Sequence, residues 1–123
     1  MYNILVCDDE KDIVSALRIY LTAEGYRVYE AGNGREALEY LAKEDIQLVL
    51  MDIMMPVMDG LEATREIRTM NRSDASAVVI IAMTANAFAE DKSKALKAGM
   101  DEYLTKPLES EKLIRALSRY KHN

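Results

Sequence analysis

The chain has 123 residues, enough for one domain with a buried core and too few for two. Sixteen Lys and Arg against 21 Asp and Glu give a formal charge of −5, the wrong sign for gripping a phosphate backbone, so direct nucleic-acid binding is disfavoured. One cysteine excludes an intramolecular disulfide, and the longest apolar stretch, Ala77 to Met83, is far too short to cross a bilayer. With no charged leader before a long apolar segment, the expected compartment is a reducing cytoplasm, and any membrane connection is expected through a partner.

In chain order, the first apolar run is Asn3 to Cys7, closed by Asp8-Asp9-Glu10. Ile13, Leu17, Tyr20 and Leu21 then share a helical stripe, and Gly25 stands where that helix should stop. Arg27 to Ala31 alternates polar and apolar residues, which suits a strand nearer an edge. Asn33-Gly34 signals a turn into a second helix with the stripe Ala37, Leu38 and Leu41. Gln47 to Met51 is apolar on both faces and delivers Asp52 into the loop Ile53 to Gly60, where Asp59-Gly60 marks the next turn.

Val78 to Met83 is a second two-faced apolar run, closed by Thr84. The helical segment Ala87 to Ala98 has mostly alanine at its apolar positions, so it has little to bury and can shift cheaply; Gly99 ends it. Glu102 to Thr105 forms a short strand before Lys106-Pro107, and Leu113, Leu117 and Tyr120 make the last stripe.

Five strands alternating with helical segments argue for an α/β fold with parallel strands and crossover helices, the first, third and fourth strands being central. Polar residues close four of these strands, which is where an open α/β sheet gathers its ligand site. Each has a plainer reading taken alone: Asp52 could start a turn, and Lys106 could be a solvated cation before a turn proline. Cys7 reads as a small core residue. Met51, Met54, Met55 and Met58 read as adaptable packing rather than a copper set, because hard carboxylates lie beside them. His122 reads as part of a frayed tail.

Together, Asp8-Asp9-Glu10, Met55-Pro56-Val57-Met58-Asp59-Gly60, Met83-Thr84-Ala85 and Lys106-Pro107 resemble the receiver domain of two-component response regulators, along the full length of the chain. The resemblance implies one doubly wound, flavodoxin-like (βα)5 domain over residues 1–123, with no output domain in this chain. Its five-stranded parallel sheet would run in the order 2-1-3-4-5; the chemotaxis receiver is itself the known example of that order, which therefore comes with the resemblance and not from periodicity.

The implied activity is transfer of a phosphoryl group from a histidine, on a sensor kinase or a histidine phosphotransfer protein, onto Asp52. The implied cofactor is Mg²⁺, with Mn²⁺ able to substitute. Asp9 and Asp52 would be direct ligands, Asp8 a ligand through water, and the backbone carbonyl of Met54 a further one. Three carboxylates a few ångströms apart repel by roughly 1 kcal/mol or more per pair even when screened as in solvent, and a divalent cation resolves that conflict.

Lys106 and the Thr84 hydroxyl would neutralise the phosphoryl oxygens, which phosphoryl transfer needs more than it needs a base. The family's cis peptide would fall at Lys106-Pro107, its aromatic switch at Tyr103, and its pocket rim at Ala85 and Asn86. Met54 and Asn86 would border the phosphoryl group. The surface formed by Ala87 to Ala98, the Tyr103 strand and the last helix is expected to change on phosphorylation and to meet a downstream protein or a fused output domain. A monomer or a phosphorylation-dependent dimer is expected.

Three alternatives stand beside this reading. The chain could be a receiver cut from a larger transcription regulator or hybrid kinase, or a binding module that has lost phosphorylation. It could also be a phosphatase of the haloacid dehalogenase type, but such enzymes usually carry a second aspartate two residues after the nucleophile, where this chain has Met54. The expectation is therefore a signalling receiver that assists its own phosphorylation and dephosphorylation, not an enzyme.

Overall fold

Strand and helix alternate in strict succession in a computed structural model that describes residues 2–70, 78–85, 89–106 and 108–120, with the side chains of 89–91 excepted. The elements are β1 (Asn3–Cys7), α1 (Lys11–Ala23), β2 (Arg27–Ala31), α2 (Gly34–Lys43), β3 (Leu48–Asp52), α3 (Gly60–Arg68), β4 (Val79–Thr84), α4 (Ala89–Ala98), β5 (Glu102–Thr105) and α5 (Ser110–Tyr120). The five strands form one parallel sheet in the order β2-β1-β3-β4-β5. Asn86, Ala87, Pro107 and His122 lie outside the described residues, and with Pro107 so does the expected cis peptide.

The two-faced strands are central because only there are both faces covered. Leu5, Cys7, Val49, Met51, Ile80 and Ala82 point to one side, against Ala37, Leu41, Ala63, Ile67 and Ala95 of α2, α3 and α4. Ile4, Val6, Leu48, Leu50, Ile81 and Met83 point to the other, against α1 and α5. Each fully buried aliphatic side chain contributes roughly 1.5–3 kcal/mol, so neither layer is dispensable. The alternating strand β2 lies at an edge, as its pattern requires.

Some sequence-based boundaries shift. β3 and β4 run one residue later than Gln47 to Met51 and Val78 to Met83, because Asp52 still pairs with Met83 and Thr84 with Thr105. Asp52 and Thr84 are thus the last residues of strands, held by the sheet. In α1 the buried positions are Val14, Leu17 and Leu21, whereas Ile13 and Tyr20 are only partly covered. The helix turns its core face slightly away from the expected stripe, toward the sheet. Gly25 and Gly99 have φ of 93° and 109°, so both helix-stop glycines do what a residue with a Cβ does poorly.

Candidate functional site

β1 and β3 are neighbours, so their C-terminal ends bring Asp8, Asp9 and Asp52 to one place at the edge of the sheet. One carboxylate oxygen from each lies within 4.8 Å of the others. Asp8 and Asp52 are buried, and Asp9 is exposed at the mouth. Across the cleft, β4 and β5 deliver Thr84 and Lys106. Thr84 is buried, and the Lys106 amide donates to the Thr84 carbonyl at 2.8 Å.

The loop after β3 is clamped from two sides by glycines. A Cβ at Gly60 would lie 2.2 Å from the Asp52 carbonyl oxygen, and one at Gly34 would lie 2.7 Å from that of Met58. Both amides use this closeness: Gly60 N–H donates to Ile53 O at 3.0 Å and Gly34 N–H to Met58 O at 2.9 Å. Asp59 caps α3 by accepting from Glu62 N–H at 2.8 Å. Val57 carries the turn at φ 67°, an uncommon conformation for a β-branched residue and a local store of strain beside the site. The sequence marks these as turns; that the turns press on the back of Asp52 is tertiary information.

Lys106 is 13% exposed, and its ammonium lies 2.8 Å from Asp8 Oδ2, 3.4 Å from Asp52 Oδ2 and 3.5 Å from Glu10 Oε1. The plain reading as a solvated surface cation therefore fails. Burial alone would lower its pKa, but hydrogen bonding to Asp8 and the charges of Asp52 and Asp8 outweigh it and the pKa is raised, so Lys106 stays charged. Glu10, which sequence reasoning treated only as part of a motif, joins the site through this ammonium.

Asp52 is pushed from 3.8 to about 7, first by burial and then by the Asp8 charge and a hydrogen bond shared with Asp8. Lys106 and the Met54 N–H, which donates to Asp52 Oδ1 at 3.3 Å, pull the other way. One ammonium is too little positive charge for this pocket.

The donors fit a hard divalent cation: all three are carboxylate oxygens, at mutual distances a small ion can span. Asp8 Oδ2 is buried, with the Lys106 ammonium in contact at 2.8 Å. Met54 donates its backbone N–H to Asp52 and is itself 79% exposed; the expectation that its side chain packs is wrong, because the clamped loop turns it outward. Met51 is fully buried, and Met55 and Met58 pack partly against the core, as expected. Cys7 is also core: burial and the nearby Asp52 and Asp8 charges push its thiol far up, and Sγ contacts Asn33 O and Met55 Sδ. Tyr103 on β5 is half-buried, with the Lys92 ammonium 4.6 Å from its ring centre. Ala85 is exposed at the rim.

A doubly wound parallel sheet with an acidic cluster and a buried lysine at its C-terminal edge defines an α/β domain that gathers its site where the strands end. The chain belongs to the response regulator receiver domain family, whose family model matches residues 4–118. It is thus a receiver domain of two-component signalling, a family that is generally not enzymatic.

Among its relatives, the chain is 40% identical to an uncharacterized 14.6 kDa protein of Leptolyngbya boryana, over 96% of this chain and 88% of that protein. It is 41% identical to the uncharacterized transcriptional regulatory protein YrkP of Bacillus subtilis over 97% of this chain, and it spans 51% of the length of YrkP. Chemotaxis protein CheY4 of Vibrio cholerae superposes with a TM-score of 0.91 at 30% identity, covering 98% of this chain and 99% of that one. The receiver domain of sensor histidine kinase PA1611 from Pseudomonas aeruginosa, solved with magnesium in its active-site cleft, gives 0.88 at 37% identity over 97% and 96%. No described helix is long and apolar enough to cross a membrane.

Proposed function

We propose that Asp52 is the phosphoacceptor of this receiver, taking a phosphoryl group from a histidine kinase or a histidine phosphotransfer protein. The observation that carries this is the placement of the buried Asp52 carboxylate beside Asp8 and the Lys106 ammonium, at the end of a central strand. In the transfer, an Asp52 carboxylate oxygen forms a bond to phosphorus as the bond from phosphorus to the donor nitrogen breaks, and the donor histidine leaves with the electron pair. No base is needed, because the nucleophile is an ionised carboxylate. Asp8, Asp9, Asp52 and the Met54 carbonyl are the groups that would hold Mg²⁺, or Mn²⁺ in its place. Bound there, the cation would neutralise the carboxylates, keep Asp52 ionised at neutral pH and offset charge on the phosphoryl oxygens.

Lys106, which contacts Asp8 and Asp52, would meet the incoming oxygens, with the Thr84 hydroxyl as a second donor. As Thr84 moves toward the phosphoryl group, Tyr103 turns inward and the α4, β5 and α5 face changes for its partner, a population shift between existing states. Ala85 lies exposed at the rim of the pocket. A groove of about 660 Å³, lined by Ile13, Ala16, Tyr20, Leu108 and Leu113 among others, runs up to Lys106 and offers a donor protein an apolar approach. The phosphatase reading finds no support: the residue two past Asp52 has a thioether directed to solvent and no proton to give a leaving alcohol.

The test is intact-mass spectrometry after incubation with acetyl phosphate and Mg²⁺. One phosphoryl adduct is expected on the wild type and none on Asp52→Asn or on protein held in EDTA; an undiminished adduct on Asp52→Asn would mean the acceptor is another residue. Phosphotransfer profiling against purified histidine kinases would then name the donor.

A further inference from the structure

Among the described side chains of α4, the buried ones are Ala95 and Ala98, while Leu96 is 58% exposed. Apolar burial therefore holds this helix weakly, and two polar contacts of different strength hold it as well. Lys92 sets its ammonium 4.6 Å from the centre of the Tyr103 ring. At the other end Arg68 donates from Nε to Gly99 O at 2.9 Å, from Nη1 to Val78 O at 2.6 Å and from Nη2 to Asp101 Oδ2 at 2.9 Å. The same Asp101 oxygen accepts from Ile80 N–H at 2.8 Å. Gly99 lies against the stem of Arg68, where a Cβ would come 2.9 Å from its Cγ. The Arg68 side chain is only 18% exposed.

We propose that Lys92 and Arg68 are positioning residues of the switch: Lys92 is a releasable tether between α4 and Tyr103, and Arg68 is the fixed pivot about which the released helix turns. The proposal rests on the reading that Tyr103 moves inward on phosphorylation. That movement takes the ring from beneath the Lys92 ammonium, and a single cation–π contact between two half-buried side chains is weak enough to be given up, biasing the equilibrium by about two- to fivefold. The Arg68 fork ends on two backbone carbonyls and a carboxylate in fixed directions, so releasing it would leave several groups unpaired at once. The N-terminal part of α4 moves and the Gly99–Asp101 corner stays.

The experiment uses the full chain with Mg²⁺ and beryllofluoride as phosphoryl mimic. Lys92→Met keeps the stem and removes the charge; it should bind beryllofluoride about two- to fivefold more tightly than wild type, and Lys92→Arg should restore the wild-type value. In wild-type protein, amide exchange should change at Lys92 to Ala95 on saturation and stay constant at Met100 and Asp101. In Arg68→Met, and independently in Gly99→Ala, exchange at Met100 and Asp101 should rise with the mimic. Unaltered affinity in Lys92→Met overturns the tether, and equal exchange changes at both ends of wild-type α4 overturn the pivot. A saturated wild type with no change at Tyr103 by NMR overturns the switch reading beneath both.

Discussion

Replacing Asp52 by Asn should make the protein more stable while removing its activity. Asp52 is held at about 7 against an ordinary 3.8, a displacement equivalent to about 4 kcal/mol once the group is fully ionised. Water at the mouth of the cleft, where Asp9 is exposed, screens part of this and leaves about 2 kcal/mol. The Met54 N–H that Asp52 accepts from can still donate to the Asn carbonyl oxygen.

The sign follows from proton counting. Below pH ~4 both states of the wild type carry the proton and Asn has no advantage. Between about 4 and 7 the unfolded chain has released the proton while the folded chain keeps it, so wild-type stability falls as pH rises. Above about 7 the loss is complete and the advantage of Asp52→Asn is constant. Urea denaturation in EDTA at pH 5 and pH 8 measures this. Asp52→Asn should be roughly 2 kcal/mol more stable at pH 8, near 5–10 °C in Tm, and less favoured at pH 5. Excess Mg²⁺ should narrow the gap by stabilising the wild type. A variant less stable than wild type at pH 8, or an advantage independent of pH, would refute the argument that burial and Asp8 strain this carboxylate.

Three further outcomes test other parts of the pocket. Lys106→Met removes the ammonium between Asp8 and Asp52 and should cost about 2–4 kcal/mol in EDTA by urea denaturation, with Mg²⁺ restoring more stability than it adds to wild type; labelling should persist while the NMR response of Tyr103 weakens. Asp9→Asn, at an exposed position, should leave stability within about 0.5 kcal/mol and lower Mg²⁺ affinity by calorimetry roughly tenfold or more, on the scale of one charged contact. Gly60→Ala forces a Cβ against the Asp52 carbonyl; it should cost about 3 kcal/mol and slow acetyl phosphate labelling, and normal labelling would show that the loop can retreat.

Strand content, the central place of the two-faced runs and the gathering of Asp8, Asp9, Asp52, Thr84 and Lys106 at one edge were all legible in the chain. They follow from local periodicity and from where polar residues interrupt it. Periodicity is blind to direction around a helix to within one residue, which is why Val14 rather than Ile13 faces the core. It is also blind to loops, where the Met54 side chain turns to solvent although its neighbours pack.

What the sequence by itself determined about this receiver is its inventory: five strands, the carboxylates and the lysine that follow them, and the glycines at which the chain must turn. Tertiary structure alone decided the charge balance of the pocket, because the 2.8 Å between Lys106 and Asp8 and the burial of Asp52 depend on strands far apart in sequence meeting at one edge. It alone revealed the Arg68 hub, which joins the end of α3 to the starts of β4 and β5 and the end of α4. The physical reason is the same for both. A side chain's type is written locally, but the charges and donors that set its energy arrive through contacts that only the folded sheet creates.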